Sequence, residues 1–199
     1  MKKIASSLCA FAALAVVGVG LALAPATAEE SFKTELDALR ESLSKYQDVY
    51  TAVREGYFST VGCVHYTGEK MEGHVEYAKG AMGVHFINTS LIGPTPDPMR
   101  PPILIYEPEA GKLRLVAVEW FVPLATGIKE RPSLFGQPFL GPMEGHVPIL
   151  PKDFTHYDLH AWLFKENSYG LFAPTNPDVS CEGYDFSLLE HPTKIVPHP

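Results

Sequence analysis

Residues 156–164 read HYDLHAWLF, two histidines flanking an aspartate inside an otherwise apolar and aromatic run. Imidazole and carboxylate are the side chains that bind divalent transition metals and move protons near neutral pH. The alternation of aromatic and apolar residues predicts a strand. On it His156, Asp158, His160, Trp162 and Phe164 share one face, and Tyr157, Leu159, Ala161 and Leu163 the other. At about 3.3 Å per residue the two histidines stand about 13 Å apart, too far to share one tetrahedral ion at about 2.0 Å without a bulge. One of them is therefore expected as a direct ligand, His160 ahead of His156 because it lies deeper in the apolar run. Asp158 is expected as a second ligand or as the group that orients one.

Two more residues belong with this strand. In LRLVAVEWFV (113–122) alternation places Leu113, Leu115, Ala117, Glu119 and Phe121 on one face, so Glu119 projects from an apolar surface. A carboxylate there must be paired, hold its proton, or bind a metal. His85, in GAMGVHFI (80–87), lies in a strand between Val84 and Phe86. His85, Glu119 and the histidines of 156–160 together would form a site of the kind that carries zinc or non-haem iron. His146, on a proline-rich loop, is a candidate extra ligand or lid. It belongs to a MEGHV segment found at 71–75 and again at 143–147 with unmatched flanks, which makes no repeat. Methionine and histidine also suit copper. The alternative is a buried His/Glu hydrogen-bond network with no ion, in a non-catalytic binding or structural module. No nucleophile elbow, phosphate-binding loop, dinucleotide turn, HExxH or EF-hand loop is present.

The elements that must carry these groups follow from periodicity. Phe32, Leu36, Leu39, Leu43, Tyr46, Tyr50 and Val53 recur at spacings of 4, 3, 4, 3, 4 and 3, which predicts one amphipathic helix over about 31–54, capped by Ser31 and stopped at Gly56. The mean spacing of 3.5 also fits a coiled-coil homodimer, but a helix laid on the chain's own sheet is the simpler reading. Strands are expected at 57–66, 82–87, 103–106, 113–122 and 154–164. Two proline-rich stretches, 94–102 and 132–151, read as ordered irregular walls and not as strands. The class is α+β: an N-terminal helix packed on a mainly antiparallel sheet or open barrel with long Pro-rich loops.

The N-terminus has Lys2 and Lys3, an apolar stretch over about 8–24 and an A-T-A motif at 26–28, the three parts of a secretory signal peptide, with an uncleaved anchor as the alternative. Cleavage leaves residues 29–199 as one domain: helix, a β-rich part over about 57–181 and a tail over 182–199. A periplasmic or secreted location is expected, with no stable membrane insertion after cleavage. The net charge is −7 with no basic stripe, which argues against nucleic acid as a partner. Of the three cysteines, Cys63 and Cys181 lie beyond the signal; in an exported chain a disulfide is the first reading, with buried thiols or metal ligands as the others.

Through GAMGVHF, ILIYEP, LRLVAVEWFVP, LFGQPF, GPMEGH, HYDLHAWLF and FAPTNPDVSC, residues from about 80 to 181 resemble a family of uncharacterised exported bacterial proteins. That resemblance implies export and brings no activity with it. A looser similarity, over GVHF, LIYEP and LVAVEW, is to the plant oil-body-associated proteins; it picks out Gly83, His85, Phe86, Tyr106 and Glu119 and implies shared local structure around His85 and Glu119. The export signal departs from an oil-body location. The function expected is an exported metal-binding protein holding zinc, iron or copper, either a metal carrier or a metal-dependent enzyme acting on a small molecule, in which case an open coordination position would activate water or dioxygen.

Overall fold

The computed structural model describes residues 27–199, so the expected signal peptide lies outside the described residues apart from its last two. Among the described residues no helix is long and apolar enough to cross a membrane. Helix α1 (Ala28–Leu43) starts ahead of the expected Ser31: the Thr27 hydroxyl accepts from the Glu30 N–H while the Glu30 carboxylate accepts from the Thr27 N–H. The run expected as one helix is broken by a 3-10 turn, Ser44–Gln47, before α2 (Val49–Arg54). Asp48 is the local cause, since its side chain accepts from the Tyr50 N–H at 3.1 Å and satisfies a new helix start. Leu36, Leu39, Leu43 and Tyr46 are buried in the chain's own core, whereas Tyr50 and Val53 are 72% and 44% exposed, so the stripe does not continue past the break.

Among the described residues nine strands follow: β1 (Phe58–Tyr66), β2 (Gly80–Ile87), β3 (Ile103–Glu109), β4 (Lys112–Pro123), β5 (Ser133–Leu134), β6 (Gln137–Pro138), β7 (Leu140–Met143), β8 (His156–Ala161) and β9 (Ser187–Leu189). Seven form one sheet in the order β7-β8-β4-β3-β2-β1-β9, antiparallel at every pairing but the parallel β1–β9. The expected α+β architecture holds. The second proline-rich stretch departs from the expectation, because it contains the small β5–β6 hairpin and the edge strand β7. Proline is tolerated at Pro142 because an edge strand can do without one ladder donor.

Helix α1 and the 3-10 turn cover one face of the sheet, where the Tyr106 hydroxyl donates to the Tyr46 carbonyl at 2.8 Å. The other face curls around a cavity. Residues 190–196, expected as tail, cross from the β9 edge to the β7 edge: Val75 N–H donates to Thr193 O at 2.8 Å, Ile195 bridges Met143, and Val196 N–H donates to Pro142 O at 2.9 Å. The Cys63–Cys181 disulfide, with Cα atoms 5.6 Å apart, ties β1 to the segment leading into β9.

Two local irregularities aim the site. Ala117 pairs with Ile105 but Leu115 pairs with Tyr106, so β4 carries one extra residue. The bulge moves Leu115 to the helix-covered face and leaves Glu119 and Phe121 on the cavity face, correcting the single face read from alternation. In β2, Gly83 adopts φ +114°, and a Cβ there would lie 2.5 Å from the Tyr106 carbonyl oxygen. Only glycine lets β2 approach β3 this closely two residues before His85.

Candidate metal centre

The cavity has a volume of about 160 Å³, with Ile87, Ile103, Phe121, Leu150 and Phe154 among its apolar walls. Into this space point His85, Glu119, His146, Asp158, His160 and Glu190. Register explains the convergence from β2, β4 and β8. Glu119 sits directly across from His160 and also from Ile103, while His85 pairs with Ile105 on the far side of β3. His156, Asp158 and His160 share the cavity face of β8 because they alternate along it, as expected.

These groups form two clusters. In the first, the donor atoms of His85, Glu119 and His160 all lie within 4.8 Å of one another. Glu119 Oε2 is 3.5 Å from His85 Nε2 and 3.7 Å from His160 Nε2, both too long for good hydrogen bonds. Neither ring nitrogen of His160 has a hydrogen-bond partner among the described residues. Ligands bound tetrahedrally at about 2.0–2.1 Å sit about 3.3–3.4 Å apart, close to both contacts.

In the second cluster, donor atoms of His146, His156 and Asp158 likewise lie within 4.8 Å of one another. His146 comes from the loop between β7 and β8, with Nδ1 3.1 Å from Glu190 Oε2 and 3.3 Å from the Thr193 hydroxyl. Glu190 Oε2 also accepts from the Tyr66 hydroxyl at 2.6 Å. His156 Nδ1 donates to the Phe154 carbonyl at 3.2 Å, and its Nε2 lies 3.3 Å from His146 Nε2. Asp158 Oδ1 and Glu190 Oε1 are buried without a partner among the described residues. Each such atom costs about 1–3 kcal/mol, which an unassisted hydrogen-bond network would avoid.

Burial sets the protonation pattern. It holds the Glu119 carboxyl far above the ordinary carboxylate range, helped by the nearby Asp158 and Glu190 charges. It lifts Asp158 from 3.8 to about 7, against the pull of His146. It lowers His85 from 6.5 to about 4 and His156 from 6.5 to about 3, and drives His160 well below its ordinary value. Burial also opposes charge on His146 and Glu190, but their hydrogen bond and mutual attraction win, raising His146 and lowering Glu190. Burial thus disfavours charge on His85, His160 and Glu119 alike, whereas the His146–Glu190 contact favours the ionised pair.

A pH dependence follows. The lowered histidines bind fewer protons folded than unfolded, so they add stability as pH rises from about 4 to 6.5. Above 6.5 their contribution is complete. The raised carboxyls oppose this from about pH 4 upward, Asp158 until about 7, but the three histidines outnumber them. Above 6.5 only groups with raised values, Glu119 and His146, still hold protons that the unfolded chain has released, so stability falls as pH rises further. The metal-free protein is expected to melt highest near pH 6.5. Zinc, which replaces those protons, should raise the melting temperature more at pH 8 than at pH 6. Thermal unfolding with chelator or zinc across this range checks both signs; a zinc effect that shrinks with rising pH contradicts them.

The four residues His85, Glu119, His156 and His160 do not meet at one point. His160 joins His85 and Glu119, while His156 joins Asp158 and His146, because β8 is extended and its two histidines cannot converge. His146, expected as lid or extra ligand, stands in the second cluster. Glu190, Tyr66 and Thr193 are not among the candidates; no spacing marks them, since Glu190 and Thr193 come from the segment that crosses between the sheet edges and Tyr66 meets it from β1. Compared with models of known protein families, with curated proteins and with solved structures, the chain matches none.

Proposed function

We propose that this is an exported metal-binding protein whose ion is held by His85, Glu119 and His160, and that it acts on a small, largely apolar molecule brought to that ion. The observation that carries the reading is the convergence of three donors from β2, β4 and β8 on one point, with His160 left without any other partner among the described residues. Two imidazoles and a carboxylate suit zinc or iron, with copper as the third choice. Three protein ligands leave a coordination position open, as in catalytic and not structural zinc sites. That position faces apolar walls around a space close in size to a cavity of about 150 Å³ that holds benzene. A disulfide fits an oxidising compartment, consistent with export.

The rival reading, a polar network without an ion, draws on the bonds that link Tyr66, Glu190, His146, Thr193 and Tyr77. Elemental analysis of protein purified from the periplasm without chelator separates the two. At least one equivalent of zinc, iron or copper is expected in the wild type, with one equivalent lost in His160→Ala. A metal-free wild type, with His160→Ala merely less stable, establishes the network instead.

A further inference from the structure

We infer that the same cavity holds a second transition-metal site, formed by His146, His156 and Asp158. It shares no ligand with the first centre and does not depend on it. The tautomers make the argument. The Phe154 carbonyl can only accept, so His156 carries its proton on Nδ1 and presents the Nε2 lone pair inward. The Glu190 carboxylate likewise takes the Nδ1 proton of His146, with the Thr193 hydroxyl beside it. Two Nε2 atoms then face each other at 3.3 Å.

Two lone pairs at that distance would repel, so the positive centre between them is either the second proton of a charged His146 or a metal. The spacing matches the edge of a tetrahedron of ligands at about 2.0–2.1 Å. Asp158 distinguishes the two cases. It stands on the cavity face of β8 beside His156, with Oδ1 buried and without a partner among the described residues. A proton between the rings leaves that oxygen unused, while an ion takes it as third ligand. The outer contacts are those of a ligating pair: one histidine oriented by a carbonyl, the other by a carboxylate that Tyr66 fixes at 2.6 Å. Imidazole-rich donors select zinc, copper or iron over calcium and magnesium.

Zinc alone, titrated into chelator-stripped full-length protein, is the test. Two equivalents are expected for the wild type. One equivalent is expected for His146→Gln and for Asp158→Asn, the latter an uncharged near-isostere chosen to preserve the fold. His160→Ala is also expected to bind one. A wild type that binds one ion, still bound by Asp158→Asn and His146→Gln, overturns the second site and leaves the first centre standing. One ion lost in those variants but kept in His160→Ala supports the second site and sinks the first. No binding at all overturns both, leaving a proton between His146 and His156.

Discussion

Glu119→Gln is expected to abolish zinc binding at the first centre while leaving the metal-free protein at least as stable at neutral pH. Burial keeps the Glu119 carboxyl protonated in the metal-free fold, so a neutral amide of the same shape replaces it with little change in packing. In the unfolded chain the carboxyl ionises at neutral pH, and that ionisation favours unfolding; glutamine removes it. The amide oxygen carries no charge to offset a divalent ion. Loss of an orienting partner costs about 10–100-fold in affinity, and loss of the one charged ligand should cost more. Zinc titration and thermal melts in chelator measure the two arms separately. Wild-type zinc affinity in this variant eliminates the centre. A marked fall in metal-free stability shows instead that Glu119 is ionised and paired with His85 and His160.

The largest stability effect should come from the disulfide. Cys63 and Cys181 are 118 positions apart. The chain-entropy model assigns a closed loop of roughly this length about 4–5 kcal/mol, a large part of the roughly 5–15 kcal/mol that holds most domains together. The double variant Cys63→Ala/Cys181→Ala should show that loss in urea unfolding. A loss below about 1 kcal/mol contradicts the model, because the unbridged chain would then be constrained some other way. Function should suffer unevenly. The bridge secures β1 to the segment that ends in Glu190 and Thr193, which orient His146. The second site should therefore weaken before the first, whose ligands stand on the central strands β2 and β4 and on β8.

Much of this arrangement was legible in the residues themselves. Alternation placed His156, Asp158 and His160 on one face and Glu119 on an apolar one, since strand geometry leaves a side chain only two directions. An even cysteine pair announced the bridge. The stripe predicts one helix where there are two, because a hydrophobic period does not register a capping side chain such as Asp48, which ends one helix by starting another.

What the sequence by itself determined was therefore local: the strands, their faces, and which imidazoles and carboxylates would be taken out of water. Only the tertiary structure decided how those groups divide into a trio on β2, β4 and β8 and a second trio that includes a loop histidine. It also supplied Glu190 from a segment that reads as tail. The reason is physical: side-chain direction is set by neighbouring residues along a strand, but convergence depends on strand order, on one extra residue in β4 and on a chain end crossing between sheet edges. None of these leaves a period in the sequence.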